Sequence, residues 1–187
     1  MIFDLEEVRF YDVDDAAMKK FITNIQKFPV KLTACKTAKE AVKGGDLITT
    51  CTADKKHQTV LTADMLDKPI FINGLAGDFP GKTEVAKEIV EIASVIVEYL
   101  PQSRIEGEIQ QLTDDFIYPE LHEIIKQQIT MNVATGGTIL YDSVGCALED
   151  YSVLRLVYKL AKSHNIGTEM QLIPQLDDVK NLYSLSL

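Results

Sequence analysis

Several things are missing from this sequence, and each absence closes off a class of function. No stretch approaches the roughly 20 consecutive apolar residues needed to cross a bilayer. There is no run of Lys and Arg: 19 basic against 28 acidic side chains leave a formal charge of -9, and such a surface repels phosphate backbones and anionic headgroups. Neither nucleic acid nor a membrane is therefore an expected partner. The three cysteines, Cys35, Cys51 and Cys146, are widely spaced and make neither a disulfide set nor a metal knuckle. The first ten residues, MIFDLEEVRF, lack a basic start and an apolar core of the signal-peptide kind, so a reduced, cytoplasmic compartment is expected. His57, His122 and His164 have no Cys or acidic partner at ligand spacing, and neither H-E-x-x-H nor a Ser-His-Asp order stands out. No metal site is expected. The ten glycines contain no G-x-G-x-x-G, the turn that cradles a dinucleotide pyrophosphate.

What remains is an ordinary globular balance, 46% apolar and 25% charged over 187 residues, enough for one α/β domain burying about 70% of its extended-chain surface. Short apolar runs alternate with amphipathic stretches, the pattern of parallel strands joined by helical crossovers. Six strands are predicted, over 8–12, 30–34, 46–50, 69–73, 94–99 and 138–142. Asp14 or Asp15 caps a helix to about residue 27, with Met18, Phe21, Ile22 and Ile25 on one face. Thr37 and Glu40 form a capping box for a shorter helix ending at Gly44-Gly45. Thr83 starts a third helix with Val85, Ile89 and Ile92 inward, and 147–165 is the longest, closing at Gly167.

Three segments carry chemistry. The first predicted strand ends in Asp12 and leads into a helix, as the second strand of a doubly wound dinucleotide fold does where an acid meets the adenosine ribose. Asp12 is equally well read as a residue that starts the helix. The loop after the fourth strand, Asn73-Gly74-Leu75-Ala76-Gly77-Asp78-Phe79-Pro80-Gly81-Lys82-Thr83-Glu84, lies at the carboxyl end of a parallel strand, where open α/β sheets bind ligands. Its three glycines admit close backbone approach, and Asp78 and Lys82 offer one charge of each sign. Gly81-Lys82-Thr83 is not a phosphate loop, because Ala76 stands where that motif needs Gly and Pro80 removes a backbone donor. The third segment, Tyr141-Asp142-Ser143-Val144-Gly145, follows the sixth strand; Ser143 either donates to a ligand or caps the long helix. Thr49, Thr50 and Thr52 end the third strand, suited to a ligand contact or simply to extended backbone.

The runs 47–55, 71–84, 97–111 and 141–150 together resemble the ornithine cyclodeaminase/mu-crystallin family over nearly the whole chain, and the third looks like the cyclodeaminases proper. The resemblance implies an incomplete Rossmann-like α/β fold: a doubly wound, mainly parallel sheet lacking its first strand and Gly-rich turn. It implies a partial NAD-binding domain over 1–167 and a tail over 168–187 that in the family packs back on an N-terminal domain. It implies conversion of L-ornithine to L-proline and ammonia, with NAD reduced and reoxidised within one turnover. By the same resemblance Asp78 is the catalytic acid/base and, with Val144, a substrate contact. Asp12, Thr52, Leu75, Ala76, Gly77, Lys82 and Ser143 are cofactor contacts. The run 104–111 serves only as an identifier.

Members of the family carry an N-terminal substrate domain and the first Rossmann strand, and this sequence has neither. Loss of the central strand leaves three outcomes: a fragment, a separate polypeptide supplying the missing half, or direct closure of strands 8–12 and 46–50. A homodimer, or association with the missing half, is the expected assembly. The alternatives to a cyclodeaminase are an inactive remnant or binding module, and another NAD-dependent amino- or imino-acid oxidoreductase.

Overall fold

The computed structural model describes residues 4–52, 59–75, 77, 79–113, 115, 117–129, 137–170 and 180. The chain divides into two compact units, Met1–Cys146 and Ala147–Leu187. The first contains, in order, β1 (Glu7–Phe10), α1 (Asp15–Ile25), β2 (Lys31–Ala34), α2 (Ala38–Val42), β3 (Leu47–Thr50), β4 (Phe71–Gly74), α3 (Lys87–Ile92), β5 (Ser94–Val97), α4 (Leu100–Glu106), α5 (Leu121–Ile125) and β6 (Ile139–Asp142). The second contains α6 (Ala147–His164), whose large apolar side chains, Leu148, Tyr151 and Tyr158 among them, are exposed. Each strand lies within two residues of its expected bounds.

Every strand pairing is parallel, but the strands form two sheets, β1-β2 and β3-β4-β6-β5. Direct closure of β1 on β3 therefore does not occur. Among the described residues β1 is paired on one side only, and so is β3, which leaves two open backbone edges. The fold is an incomplete doubly wound sheet.

The larger sheet carries the core. Residues alternate inward along its strands, burying Ile48, Ile72, Leu140, Val95 and Val97. Against them pack Ile89 and Val90 from α3, with Leu61, Val85 and Ile109 from the connections. Each such side chain contributes about 1.5–3 kcal/mol relative to exposure. The smaller sheet is thinly covered. Asp14 caps α1 by accepting the Ala16 N–H, and Phe21 packs on Phe10 with ring centroids 4.7 Å apart. Yet Phe21 and Ile22, expected on one face with Met18 and Ile25, stay exposed, and a wholly apolar groove opens between Leu5, Val8, Phe21, Ile25, Phe28 and Val30. Two strands give too narrow a floor to bury a whole helix face.

Two local expectations are corrected. The third helix begins at Lys87, not Thr83, because residues 84–86 are extended. Val60 and Leu61 both donate to the Glu84 carbonyl, and Ala86 donates to that of Leu61, in a short parallel bridge. Val85 and Ile89 are buried as expected, but Ile92, the last residue of the helix, is 73% exposed. The fifth strand stops at Val97, two residues before the expected end, since Tyr99 begins α4. The Pro101 near its start and the Gly107 after its end are ordinary boundary signals. A 3-10 turn, Glu108–Gln111, follows at once.

Candidate functional site

Parallel pairing brings the carboxyl ends of β3, β4 and β6 to one edge, where they are stitched together beyond the last ladder bonds. Leu75 donates its N–H to the Thr50 carbonyl, and Ser143 donates its own to that of Gly74. At the end of β1, Asp12 accepts the Asp14 N–H at 2.8 Å. Burial raises the Cys51 thiol, and the charges of Glu84 and Asp12 push it the same way.

The exits of β3 and β4 lock in both directions. Thr52 donates its N–H, at 3.1 Å, and its hydroxyl to the Glu84 carboxylate, while the buried Lys82 ammonium donates back to the Thr52 carbonyl at 3.0 Å. Glu84 itself is 1% exposed, and its Oε2 has no hydrogen-bond partner among the described residues. An unmatched buried oxygen of this kind is costly and commonly marks a functional position.

Beneath this edge runs a chain of carboxylates. Asp142, at the end of β6, is fully buried and accepts the N–H groups of Glu108 and Ile109 at 2.8 and 3.1 Å. Glu108 in turn accepts those of Glu84 and Val85 at 2.7 and 3.1 Å. Burial pushes Glu108 up to about 7 against the pull of those two donors, with the Asp142 and Glu84 charges acting in the same direction as burial. Burial likewise pushes Asp142 up to about 6, aided by Glu98. The neighbouring Gly107 is required by space: a Cβ there would lie 2.4 Å from Asp142 Oδ2 and 2.8 Å from the Ser103 carbonyl. Gly77 is packed against the same stretch, its Cβ position only 3.0 Å from the Glu106 carbonyl.

The same 3-10 turn grips the Gly-rich loop. Gln110 accepts the Gly81 N–H and donates to the carbonyls of Lys82 and Gly107 at 3.1 and 2.8 Å. Gln111 donates to the Val85 carbonyl at 3.0 Å. On the other side, Glu98 gathers four donors: the Tyr141 hydroxyl at 3.0 Å, the Ser143 hydroxyl at 2.6 Å and the N–H groups of Val144 and Gly145 at 3.0 and 2.7 Å.

The structure thus brings Thr52 and Lys82 into contact and joins Ser143 and Val144 through Glu98. Leu75 is exposed beside Thr50, and Gly77 is buried against Gly107. Asp78 and Ala76 lie outside the described residues. Sequence reasoning assigned no role to Glu84, Glu98, Glu108, Gln110 or Asp142. A usable signal existed: a polar run, Glu106-Gly-Glu-Ile-Gln-Gln111, surrounding a residue that the core buries, and acids placed just after apolar strands.

Comparison with known proteins agrees with this layout. The sequence profile of the ornithine cyclodeaminase/mu-crystallin family matches residues 1–165. An ornithine cyclodeaminase of Brucella melitensis is 41% identical over 186 residues, covering 100% of this chain and 52% of the relative. That of Agrobacterium fabrum is 37% identical with the same coverage. The chain therefore spans about half the length of the curated relatives it matches. Among solved structures, an archaeal alanine dehydrogenase dimer with bound NAD superimposes with a TM-score of 0.80 at 28% identity, covering 92% of this chain and 54% of the other. A lysine cyclodeaminase superimposes at 0.84 with 24% identity, over 98% and 54%, which bears on the fold alone. This chain belongs to the ornithine cyclodeaminase/mu-crystallin family.

Proposed function

We propose that this chain is the cofactor-binding half of an NAD-dependent ornithine cyclodeaminase and acts together with a substrate-binding half. The observation that carries the proposal is the stitched edge of β3, β4 and β6, in a chain 41% identical over its whole length to an ornithine cyclodeaminase. The residues present fit one part of a dinucleotide. Asp12, a carboxylate at a strand end, suits a ribose diol and repels a 2′-phosphate, which favours NAD over its phosphorylated form. Thr52, Leu75, Ala76, Gly77, Lys82 and Ser143 would hold the rest of the reachable cofactor. No Gly-rich turn in this chain serves the pyrophosphate. That group is to come from the companion half, whose strand fits between the open edges of β1 and β3.

In this reading bound NAD supplies a reversible hydride acceptor. Asp78 takes a proton from the substrate ammonium and returns one to the departing amine, and Val144 lines the substrate. The overall change, L-ornithine to L-proline plus ammonia, balances without a net oxidant. Residues 1–167 serve as the cofactor domain, and the 168–187 tail packs on the companion half. Substrate preference follows from the family reading: an enzyme of ornithine catabolism and proline formation.

The test is to combine this chain with the N-terminal half of the Brucella melitensis relative, add NAD and L-ornithine, and measure proline and ammonia. Equal amounts of both, with no accumulation of NADH, are expected. A well-folded assembly that binds NAD yet makes no proline refutes the proposal. Accumulating NADH would instead favour a dehydrogenase, the reading suggested by an alanine dehydrogenase of Archaeoglobus fulgidus that is 28% identical over 176 residues.

A further inference from the structure

From sequence the run 104–111 has no role beyond an identifier, yet side chains of its second half hold the Gly-rich loop at successive peptides. We propose that Gln110 is a positioning residue that sets Gly81 and Lys82 at the ligand edge of the sheet; the functional part of this inference rests on the cyclodeaminase reading. The Gln110 amide acts as a peptide would in a strand ladder. Its oxygen takes the Gly81 N–H, and its nitrogen gives to the Lys82 carbonyl and to Gly107 on its own turn. Gly81 has φ +86°, a left-handed geometry that residues with a side chain rarely adopt.

The turn that carries Gln110 is itself anchored twice. Asp142 holds the N–H groups of Glu108 and Ile109, and Glu108 holds those of Glu84 and Val85. Gln110 therefore transfers the rigid position of the β6 end to the peptide flanking Lys82, whose ammonium reaches across to Thr52. The chemistry needs such a support because displacing a reacting or orienting group by about 1 Å can cost on the order of 100-fold in rate.

Two measurements test this. Hydrogen exchange on the full chain should show the Gly81 amide at least about 10-fold faster in Gln110→Ala, with the Glu84 and Val85 amides, which Glu108 holds, unchanged. In the assembly with the companion half, Gln110→Ala should lower kcat by about 10–100-fold while KM for ornithine stays within about threefold, a split that general loosening of the fold does not produce. Unchanged exchange at Gly81, or unchanged kcat in an active assembly, overturns the proposal. If the unsubstituted assembly makes no proline, the cyclodeaminase reading fails, and the exchange result alone then decides whether Gln110 holds the loop.

Discussion

Replacing Gly107 by alanine isolates a single spatial requirement. Gly107 has φ -81° and ψ -179°, extended backbone that alanine adopts without strain, so any cost comes from crowding. The new methyl would sit 2.4 and 2.8 Å from the two oxygens of Asp142 and 2.8 Å from the Ser103 carbonyl. The carbonyl belongs to α4 and accepts the Gly107 N–H itself, so the carboxylate must give way. In doing so it stretches its bonds to the Glu108 and Ile109 N–H groups. Hydrogen bonds to a charged group are worth about 1.5–3 kcal/mol each and overpacking costs about 1–3 kcal/mol, so with partial relaxation a loss of about 3–5 kcal/mol is expected. Urea unfolding followed by far-UV circular dichroism measures it. Gly44→Ala provides the contrast: there φ is +72° but nothing lies within 4 Å of the added carbon. It should cost only about 1 kcal/mol, from backbone strain. If Gly107→Ala loses no more stability than Gly44→Ala, the packing of the turn against Asp142 is wrong and the reasoning built on it falls.

The raised carboxyl of Glu108 gives stability a definite pH sign. Between its ordinary value of 4.5 and about 7 the unfolded chain has released the proton while the folded chain still holds it, so stability falls as pH rises through that window, by about 3 kcal/mol in all. Asp142 acts likewise between 3.8 and about 6, so Glu108→Gln should abolish the slope above about pH 6 and reduce it between 4.5 and 6, and an unaltered urea midpoint profile between about pH 6 and 7 would count against the assignment. Glu98→Ala should release the 143–145 segment and cost about 2–3 kcal/mol, since four donors lose one acceptor; faster amide exchange at Val144 and Gly145 is the local readout. In the active assembly Asp78→Asn should lower kcat by about 100- to 10,000-fold, and a variant within about tenfold of the parent excludes Asp78 as the proton carrier.

Much of this molecule was legible in one dimension. Alternating apolar residues such as Ile48, Ile72, Val95, Val97 and Leu140 declare strands, because side-chain direction in a strand reverses at every residue and only one face meets the helices. Asp14 and Thr37 declare helix starts, because their short oxygens reach the free N–H groups of the next turn. The parallel arrangement follows from strands alternating with helices, and it alone brings the ends of β3, β4 and β6 to one edge. The order of Asp12 before any Gly-rich turn already implied a sheet with a strand missing.

Other features depended on partners distant in sequence, and local pattern carries no information about those. Residues 84–86 are helix-compatible by composition but are extended, since Val60 and Leu61 offer them a backbone partner. Phe21 and Ile22 have a helical core spacing and remain exposed, because the two-stranded β1-β2 sheet they flank is too narrow to cover that face. A place in a polar run or just after an apolar strand marks Glu108 and Asp142 as candidates, but that local pattern does not say that they, among 28 acidic residues, are the ones buried. Sequence alone set the number, approximate bounds and parallel direction of the strands, which are short-range consequences of periodicity and chain connectivity, while the order β3-β4-β6-β5 came from the folded chain. Tertiary structure alone decided which acids are buried, because burying a carboxylate requires N–H donors arriving from other segments, and only the folded chain puts them in place.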